Sequence, residues 1–265
     1  MKQKHTYIAN EENYYLKAQA KREIERDCDS REQTVRFLKD TIVKPISILE
    51  IGCGISDIFN FLPRNFQYYG IDPSEFAVKK LKEQNHDLNL SVGYAENLPF
   101  RDQQFGAVFS FQVLEHLFDP RQALQEMIRV IKPGGYVIVS APNLECPWSM
   151  PNAVRHYPHF KKIVLMAQRF GDLFMRNFEI LKFRMIKQNY TQWSGKFEKS
   201  DDDLTHLTSA YEVATFLKRN GCQFVFSREP KRGLGLKNFL KKIIRKMSIL
   251  QYYDSGIYLI FQKTY

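Results

Sequence analysis

The chain has 265 residues, 44% of them apolar and 14% aromatic, enough for one sizeable α/β domain and too apolar for a disordered chain. Its formal charge of +10 is uneven: residues 160–187 carry +5 and residues 228–246 carry +7, which leaves the remainder at −2. Basicity gathered on two local surfaces excludes a generally cationic protein and points to a local partner.

Residues 11–39 are rich in Glu, Lys, Arg and Gln and read as helical. Short apolar runs then alternate with helical patterns. Ser47–Ile51 predicts a strand and Ile55–Leu62 a helix ended by Pro63. Gln67–Ile71 predicts a second strand, followed by a helix over Ser74–Gln84 with Ser74 as N-cap. Leu90–Val92 and Ala107–Phe111 follow as strands three and four. Asp119 and Pro120 open a helix that runs to Val130. Pro133-Gly134-Gly135 breaks the chain before a fifth strand, Tyr136–Ser140. From Leu144 to Asp203 the alternation stops. Ser209-x-x-Glu212 then reads as a capping box for a helix that closes at Asn220-Gly221. Gln223–Ser227 and Ile257–Gln262 complete seven strands, the last two expected to pair antiparallel at one sheet edge. Alternation of this kind means βαβ units, a parallel sheet, and ligands bound outside the carboxyl ends of its strands.

The motifs fall at those strand ends. Ile48-Leu49-Glu50-Ile51-Gly52-Cys53-Gly54 is a buried strand entering a Gly-x-Gly turn, where the backbone bends sharply and a ligand approaches without a Cβ in the way. Alone, this is equally a tight turn. It is no dinucleotide fingerprint, because Asp57 stands where the third glycine belongs, and no P-loop, because Gly-Lys-Ser/Thr is missing. About twenty residues on, Asp72 ends the second strand; it reads either as an acceptor for ribose hydroxyls or as a charge at a helix N-terminus. Val92–Phe100, Phe105–His116 and Glu126–Gly135 are the other three motifs.

In order and spacing, the five motifs resemble the class I S-adenosylmethionine-dependent methyltransferases, nearest the branch of ubiquinone biosynthesis and related small-molecule enzymes. The resemblance covers residues 46–142 and, more loosely, 204–263. It implies a Rossmann-like, doubly wound, mostly parallel seven-stranded sheet with an antiparallel edge strand, interrupted by a helical insert. The division that follows is an N-terminal helical segment (1–45), a core (46–143 and 204–265) and a substrate lid (144–203). The resemblance also implies S-adenosyl-L-methionine as cofactor. Gly52, Cys53 and Gly54 would lie under its methionine part with Glu50 near the amino group. Asp72 and Pro73 would hold the ribose, Ala95 and Glu96 would border the adenine, and Phe111 and Gln112 would flank the sulfonium. Ser56, Tyr94 and Gly106 depart from the usual pattern, and Tyr94 puts the adenine contact in question.

Methyl transfer to an unactivated hydroxyl gains from a general base. His116, just beyond strand four, is one candidate, set against a role in ordering its loop. His206, where the insert rejoins the core, is the other, set against a histidine of a surface loop. The insert places Phe160, Ile163, Ala167, Phe170, Phe174, Phe178 and Leu181 on one helical stripe with basic flanks. A second basic amphipathic stretch spans Leu236–Leu250. Such stripes either pack on the sheet or lie on an anionic membrane. The acceptor is expected to be a small-molecule, lipid-linked or glycan oxygen. RNA methylation and a non-catalytic cofactor-binding adaptor are the alternatives. RNA is disfavoured because strand four ends in Ser110-Phe111-Gln112, without the Asn/Asp-Pro-Pro-aromatic tetrad of amino-group nucleic-acid enzymes.

Cys28, Cys53, Cys146 and Cys222 form no C-x-x-C pair, so no zinc site or disulfide framework is expected. No run of about 18 uncharged apolar residues occurs and residues 1–17 lack a signal-peptide core. The expectation is a cytoplasmic protein, in peripheral contact with a membrane if the stripes face outward.

Overall fold

A computed structural model describes residues 28–144, 158–175, 183, 185, 206, 208–227 and 256–265. Helix α1 (Cys28–Thr41) precedes strand β1 (Ser47–Ile51), β2 (Gln67–Asp72), helix α2 (Glu75–Gln84), β3 (Asn89–Val92) and β4 (Phe105–Phe111). Then come α3 (Pro120–Val130), β5 (Ile131–Pro142), α4 (His159–Met175), α5 (Ala210–Arg219), β6 (Cys222–Ser227) and β7 (Gly256–Lys263). The strands form one seven-stranded sheet in the order β3-β2-β1-β4-β5-β7-β6. Pairings among β1 to β5 are parallel, whereas β7 runs antiparallel to both β5 and β6. This is the Rossmann-like, mostly parallel sheet with an antiparallel edge that the sequence predicts.

Both faces of the sheet are covered, which is why β4 is buried along nearly its whole length rather than on alternate residues. Ala123, Leu124 and Met127 of α3 and Val213, Ala214 and Leu217 of α5 pack on Leu49, Ile51, Val108 and Val139. On the opposite face Val35 and Leu38 of α1 and Val78 and Leu81 of α2 meet Ile48, Tyr68, Phe109 and Ile260. The predicted N-caps are in place: Ser74 accepts from the Ala77 amide, Asp119 from Arg121 and Gln122, and Ser209 from Glu212.

Two local expectations are corrected. The helix predicted over Ile55–Leu62 is a single 3-10 turn, Ile58–Phe61. Pro63 forces the residue before it out of the helical region, and Leu62 is extended at ψ 153°, so too few residues separate it from the glycine turn for an α-helix. The Pro133-Gly134-Gly135 break lies inside β5: Ile131 pairs with Phe105, and pairing resumes at Ala107 with Tyr136 after a register shift. A Cβ on Gly135 would sit 2.7 Å from the Gly106 carbonyl oxygen, so the bulge needs glycine there. Gly106, which departs from the family pattern, packs against Ile46, where a Cβ would meet three side-chain atoms at 3.1 Å.

The residues at 1–27 and 228–255, most of the insert, and with them the second basic stretch, lie outside the described residues.

Candidate active site

The turn after β1 and the end of β2 are joined by three amides and one carboxylate. Gly52 and Cys53 both donate to the Ile71 carbonyl, at 2.8 and 3.1 Å. Gly54 donates to Oδ2 of Asp72 at 2.8 Å, and Ser74 donates to Oδ1 at 2.9 Å. Gly52 and Gly54 adopt φ of +67° and +50°, the left-handed region that favours glycine. Asp72 is buried, and Pro73 sits between it and the Ser74 cap. Asp72 therefore anchors the glycine turn and stands at the mouth of α2, as its reading as a helix N-terminal charge expects.

Glu50 faces the other side of β1, beneath α1, with only 1% of its surface exposed. The Tyr68 hydroxyl donates to its Oε2 at 2.6 Å, and Arg31 Nη2 lies 3.7 Å from its Oε1. Burial and the Glu50 charge hold the Tyr68 phenol well above its usual range, so it stays a donor. Burial, Asp72 and Glu50 likewise push the Cys53 thiol up, which keeps it protonated and inert.

Arg31 went unnoticed in the sequence, yet it ties the site together. Its Nη1 donates to Ser56 Oγ at 3.1 Å and lies 3.5 Å from Asp57. Its guanidinium also stacks over Phe111, 5.2 Å from the ring centroid. The signal was available: Arg31 shares a helical face with Val35 and Leu38, which point into the core, and an arginine on a buried face needs acidic or aromatic partners there. Gln112, next along, holds a left-handed φ of +56° and donates its amide to Ser140 at 2.8 Å. That conformation is costly for a non-glycine residue and bends the chain sharply off the end of β4.

The loop after β3 is clamped to α3. Arg129 makes paired bonds to Glu126 at 2.7 and 2.8 Å and reaches Asp102 and the carbonyls of Phe100 and Leu98. Glu126 accepts from the Leu98 amide at 2.7 Å, and Arg129 holds its carboxyl below the usual range. Ala95 is buried at the start of this loop. The Glu96 carboxylate accepts from the amides of Phe118 and Asp119, at 3.1 and 3.4 Å.

His116 and His206 come to the same segment. His116 is half-buried, its Nε2 3.8 Å from Oε1 of buried Glu115. His206 is buried rather than on a surface loop, so that alternative is set aside. Its amide donates to the Glu115 carbonyl at 3.1 Å and its imidazole to the Leu117 carbonyl. It also bridges to Met185. Burial holds its pKa below the ordinary value, so the ring is neutral near pH 7. The fold thus gathers Glu50, Gly52, Cys53, Gly54, Asp72 and Phe111 into one cluster. Glu96 and the two histidines form a second around residues 114–119.

Residues 49–139 match the family described as a methyltransferase domain. An S-adenosylmethionine-dependent methyltransferase of Mycolicibacterium smegmatis, designated probable, is 34% identical over 99 residues, 36% of this chain and 38% of its own. A tocopherol O-methyltransferase of Oryza sativa, likewise designated probable, is 30% identical over 129 residues, 42% of this chain and 36% of its own. The chain spans less than half the length of the curated relatives it matches. The solved S-adenosylmethionine-dependent methyltransferase of Mesorhizobium loti superimposes with a TM-score of 0.56 over 88% of this chain and 98% of that one, at 12% identity, a likeness of fold. The match to the methyltransferase-domain family is thus carried by residues 49–139, about a third of the chain, on a fold like that of solved S-adenosylmethionine-dependent methyltransferases.

Proposed function

We propose that the chain transfers a methyl group from S-adenosyl-L-methionine to oxygen of a small-molecule, lipid-linked or glycan acceptor. The observation that carries this is the Asp72 carboxylate fixed by the Gly54 and Ser74 amides at the ends of two adjacent parallel strands. The residues present suit the cofactor: buried Glu50 and Asp72 offer acceptors for an ammonium and for ribose hydroxyls, and Arg31 places a cation beside them for a carboxylate. In this reading Gly52, Cys53 and Gly54 floor the methionine part, Asp72 and Pro73 take the ribose, and Ala95 and Glu96 border the adenine. Phe111 and Gln112 flank the sulfonium. The matched tocopherol methyltransferase acts, by its name, on oxygen of a small molecule, which supports the acceptor class.

The bound donor supplies a methyl group already activated by positive sulfur. What remains for the protein is to hold the acceptor in line and to keep water out. Positioning of this kind is worth about 7–11 kcal/mol in favourable models. Neutral His206, its N–H committed to the Leu117 carbonyl, presents its other nitrogen as a base for the acceptor proton. His116 is the second candidate. The insert, 144–203, acts as the lid on the acceptor side, with residues 1–45 closing the cofactor side through α1.

The exposed apolar stripe of α4 beside Lys161 and Lys162 supports peripheral contact with anionic membrane, where a lipid-linked acceptor would be met. Among the described residues no helix is long and apolar enough to cross a membrane.

Calorimetry with S-adenosylhomocysteine tests the core of this reading. Wild-type protein should bind it, and Asp72→Ala, still folded by circular dichroism, should bind at least about tenfold more weakly, as expected on losing a charge-assisted pair of hydrogen bonds. Well-folded wild type that takes up none overturns the assignment.

A further inference from the structure

One peptide unit joins the cofactor loop to the candidate base. The N–H of the Leu117–Phe118 peptide donates to Oε1 of Glu96, and the C=O of the same peptide accepts from the His206 imidazole. Glu96 also holds the next amide, that of Asp119, at 3.4 Å. Its own loop is fixed a few residues later, where Arg129 grips the Leu98 and Phe100 carbonyls at 3.0 and 2.8 Å. Asn97 donates to the Tyr94 carbonyl at 3.2 Å and closes the turn that carries Ala95 and Glu96, so the loop has little freedom. His206 is fixed at its main chain as well, through Glu115. Its imidazole orientation depends on where the Leu117 carbonyl points.

We propose that Glu96 is a positioning residue, which through the Leu117–Phe118 peptide sets the orientation of the His206 ring and makes it respond to occupancy of the adenine side. This rests on the methyltransferase reading for what fills that side, but the Glu96–His206 link itself requires no cofactor. The mechanism is ordinary amide physics. A carboxylate accepting from the N–H polarises the peptide, and the carbonyl becomes a stronger acceptor for the ring N–H. That bond selects the tautomer with the other nitrogen unprotonated, and it stabilises the ring once it takes up a proton. Loss of the carboxylate weakens the carbonyl and lets the peptide rotate. Among the described residues, the charged groups that act on the His206 ring are Glu96 and Asp119, and Glu115 and His116 flank its main-chain contact.

This differs from the simpler role of Glu96 as an adenine contact. An adenine contact, when deleted, weakens the cofactor and alters His206 in the empty protein only through the lost charge, which lowers its midpoint and leaves its tautomer as it was. A positioning residue also changes the ring tautomer and orientation with the site empty.

The test is histidine NMR on the full chain, with imidazole ring signals followed against pH for wild type, Glu96→Gln and Glu96→Ala, and His206 assigned by its absence in His206→Gln. In the empty protein, the His206 midpoint should fall in Glu96→Ala, because both the polarised carbonyl and the nearby negative charge are lost. Glu96→Gln keeps an oxygen that can accept from Phe118 and should retain the wild-type tautomer while losing the charge, with a midpoint between the two. Adding S-adenosylhomocysteine should shift the His206 signals of wild type and Glu96→Gln and leave those of Glu96→Ala unmoved. By reciprocity, protonation of His206 should change the affinity of wild type for that compound, and this pH dependence should vanish in Glu96→Ala. A His206 tautomer unchanged in Glu96→Ala, or a midpoint no lower in Glu96→Ala than in Glu96→Gln, overturns the proposal. If Glu96→Ala does not fold, Glu96→Gln with an unchanged midpoint overturns it equally. Failure of wild type to bind S-adenosylhomocysteine sinks the methyltransferase reading instead; the empty-protein titration still decides the Glu96–His206 link.

Discussion

Helices α5 and α4 look alike in sequence and end up in opposite situations. Both repeat apolar residues at three- and four-residue steps and carry basic residues, Lys161 and Lys162 in the first turn of α4 and Lys218 and Arg219 in the last turn of α5. In α5 the stripe turns inward: Val213, Ala214 and Leu217 are buried against the sheet, and Phe216 nearly so. In α4 it turns outward: Phe160 is 75% exposed, Ile163 64% and Val164 38%. The difference lies in the ends of each helix. Ser209 caps α5 and β6 follows within three residues of its last turn, so the sheet fixes both ends of α5. Among the described residues no strand adjoins α4 at either end. Amphipathicity shows that a helix has a face; only its connections decide what that face meets.

Substitutions at the two stripes should separate most widely in stability. Leu217→Ala removes a fully buried side chain from the α5 face and should cost about 2–5 kcal/mol, read as a lowered denaturant midpoint at unchanged slope. A cost below about 1 kcal/mol would mean that α5 is no better packed than α4.

The same contrast marks what sequence reasoning can reach. The glycine turn, Asp72 and the caps at Ser74, Asp119 and Ser209 are legible because each is local: a residue type acts on amides two or three positions away. Strands β1 to β5 are legible because parallel pairing needs buried runs bounded by turns. Arg31 and Glu96 are less so. Their partners lie 25 and 22 residues distant, at Ser56 and Phe118, and depend on how helices dock. The Ile55–Leu62 misreading has the same root from the other side, since Pro63 overrides an apolar pattern that by itself suits a helix. The outward turn of α4 is legible nowhere in its own residues.

A pH series tests the anchoring of the insert, which distinguishes His206 from α4. Burial holds the folded pKa of His206 below the unfolded value of about 6.5, so the unfolded chain takes up a proton first. The stabilisation is fully present above about pH 6.5 and is lost as pH falls through the folded value, with a slope of at most about 1.4 kcal/mol per pH unit. His206→Phe should flatten this dependence in a comparison of denaturant midpoints between pH 5 and 7. An unchanged slope would mean that His206 is as loosely held as the residues of α4.

Next in size is the cap itself. Ser209→Ala leaves the Glu212 amide without its side-chain acceptor and should cost about 1 kcal/mol, with Ser209→Asp restoring most of it. Because Glu212 also accepts the Phe183 amide through both carboxylate oxygens, the loss should loosen the insert together with the helix. Faster proteolysis within the insert at unchanged global stability would locate the effect in that contact.

The smallest stability effect is expected at α4, and it is the most informative there. Phe160→Ser with Ile163→Ser removes apolar surface that is already in water, so the folded state gives up little packing and stability should move by no more than about 0.5 kcal/mol per site. Were the stripe covered by the rest of the chain in solution, the same pair would cost several kcal/mol, as Leu217→Ala does. Cosedimentation with vesicles containing anionic lipid at low salt supplies the second axis. Wild type should pellet and be released as salt rises, because the basic side chains act through a screened field while the apolar stripe supplies the insertion. The double variant should stay in the supernatant with its stability intact. Pelleting unchanged by the substitutions would assign the membrane contact to basic residues elsewhere, and would leave the outward stripe of α4 as a surface for another protein.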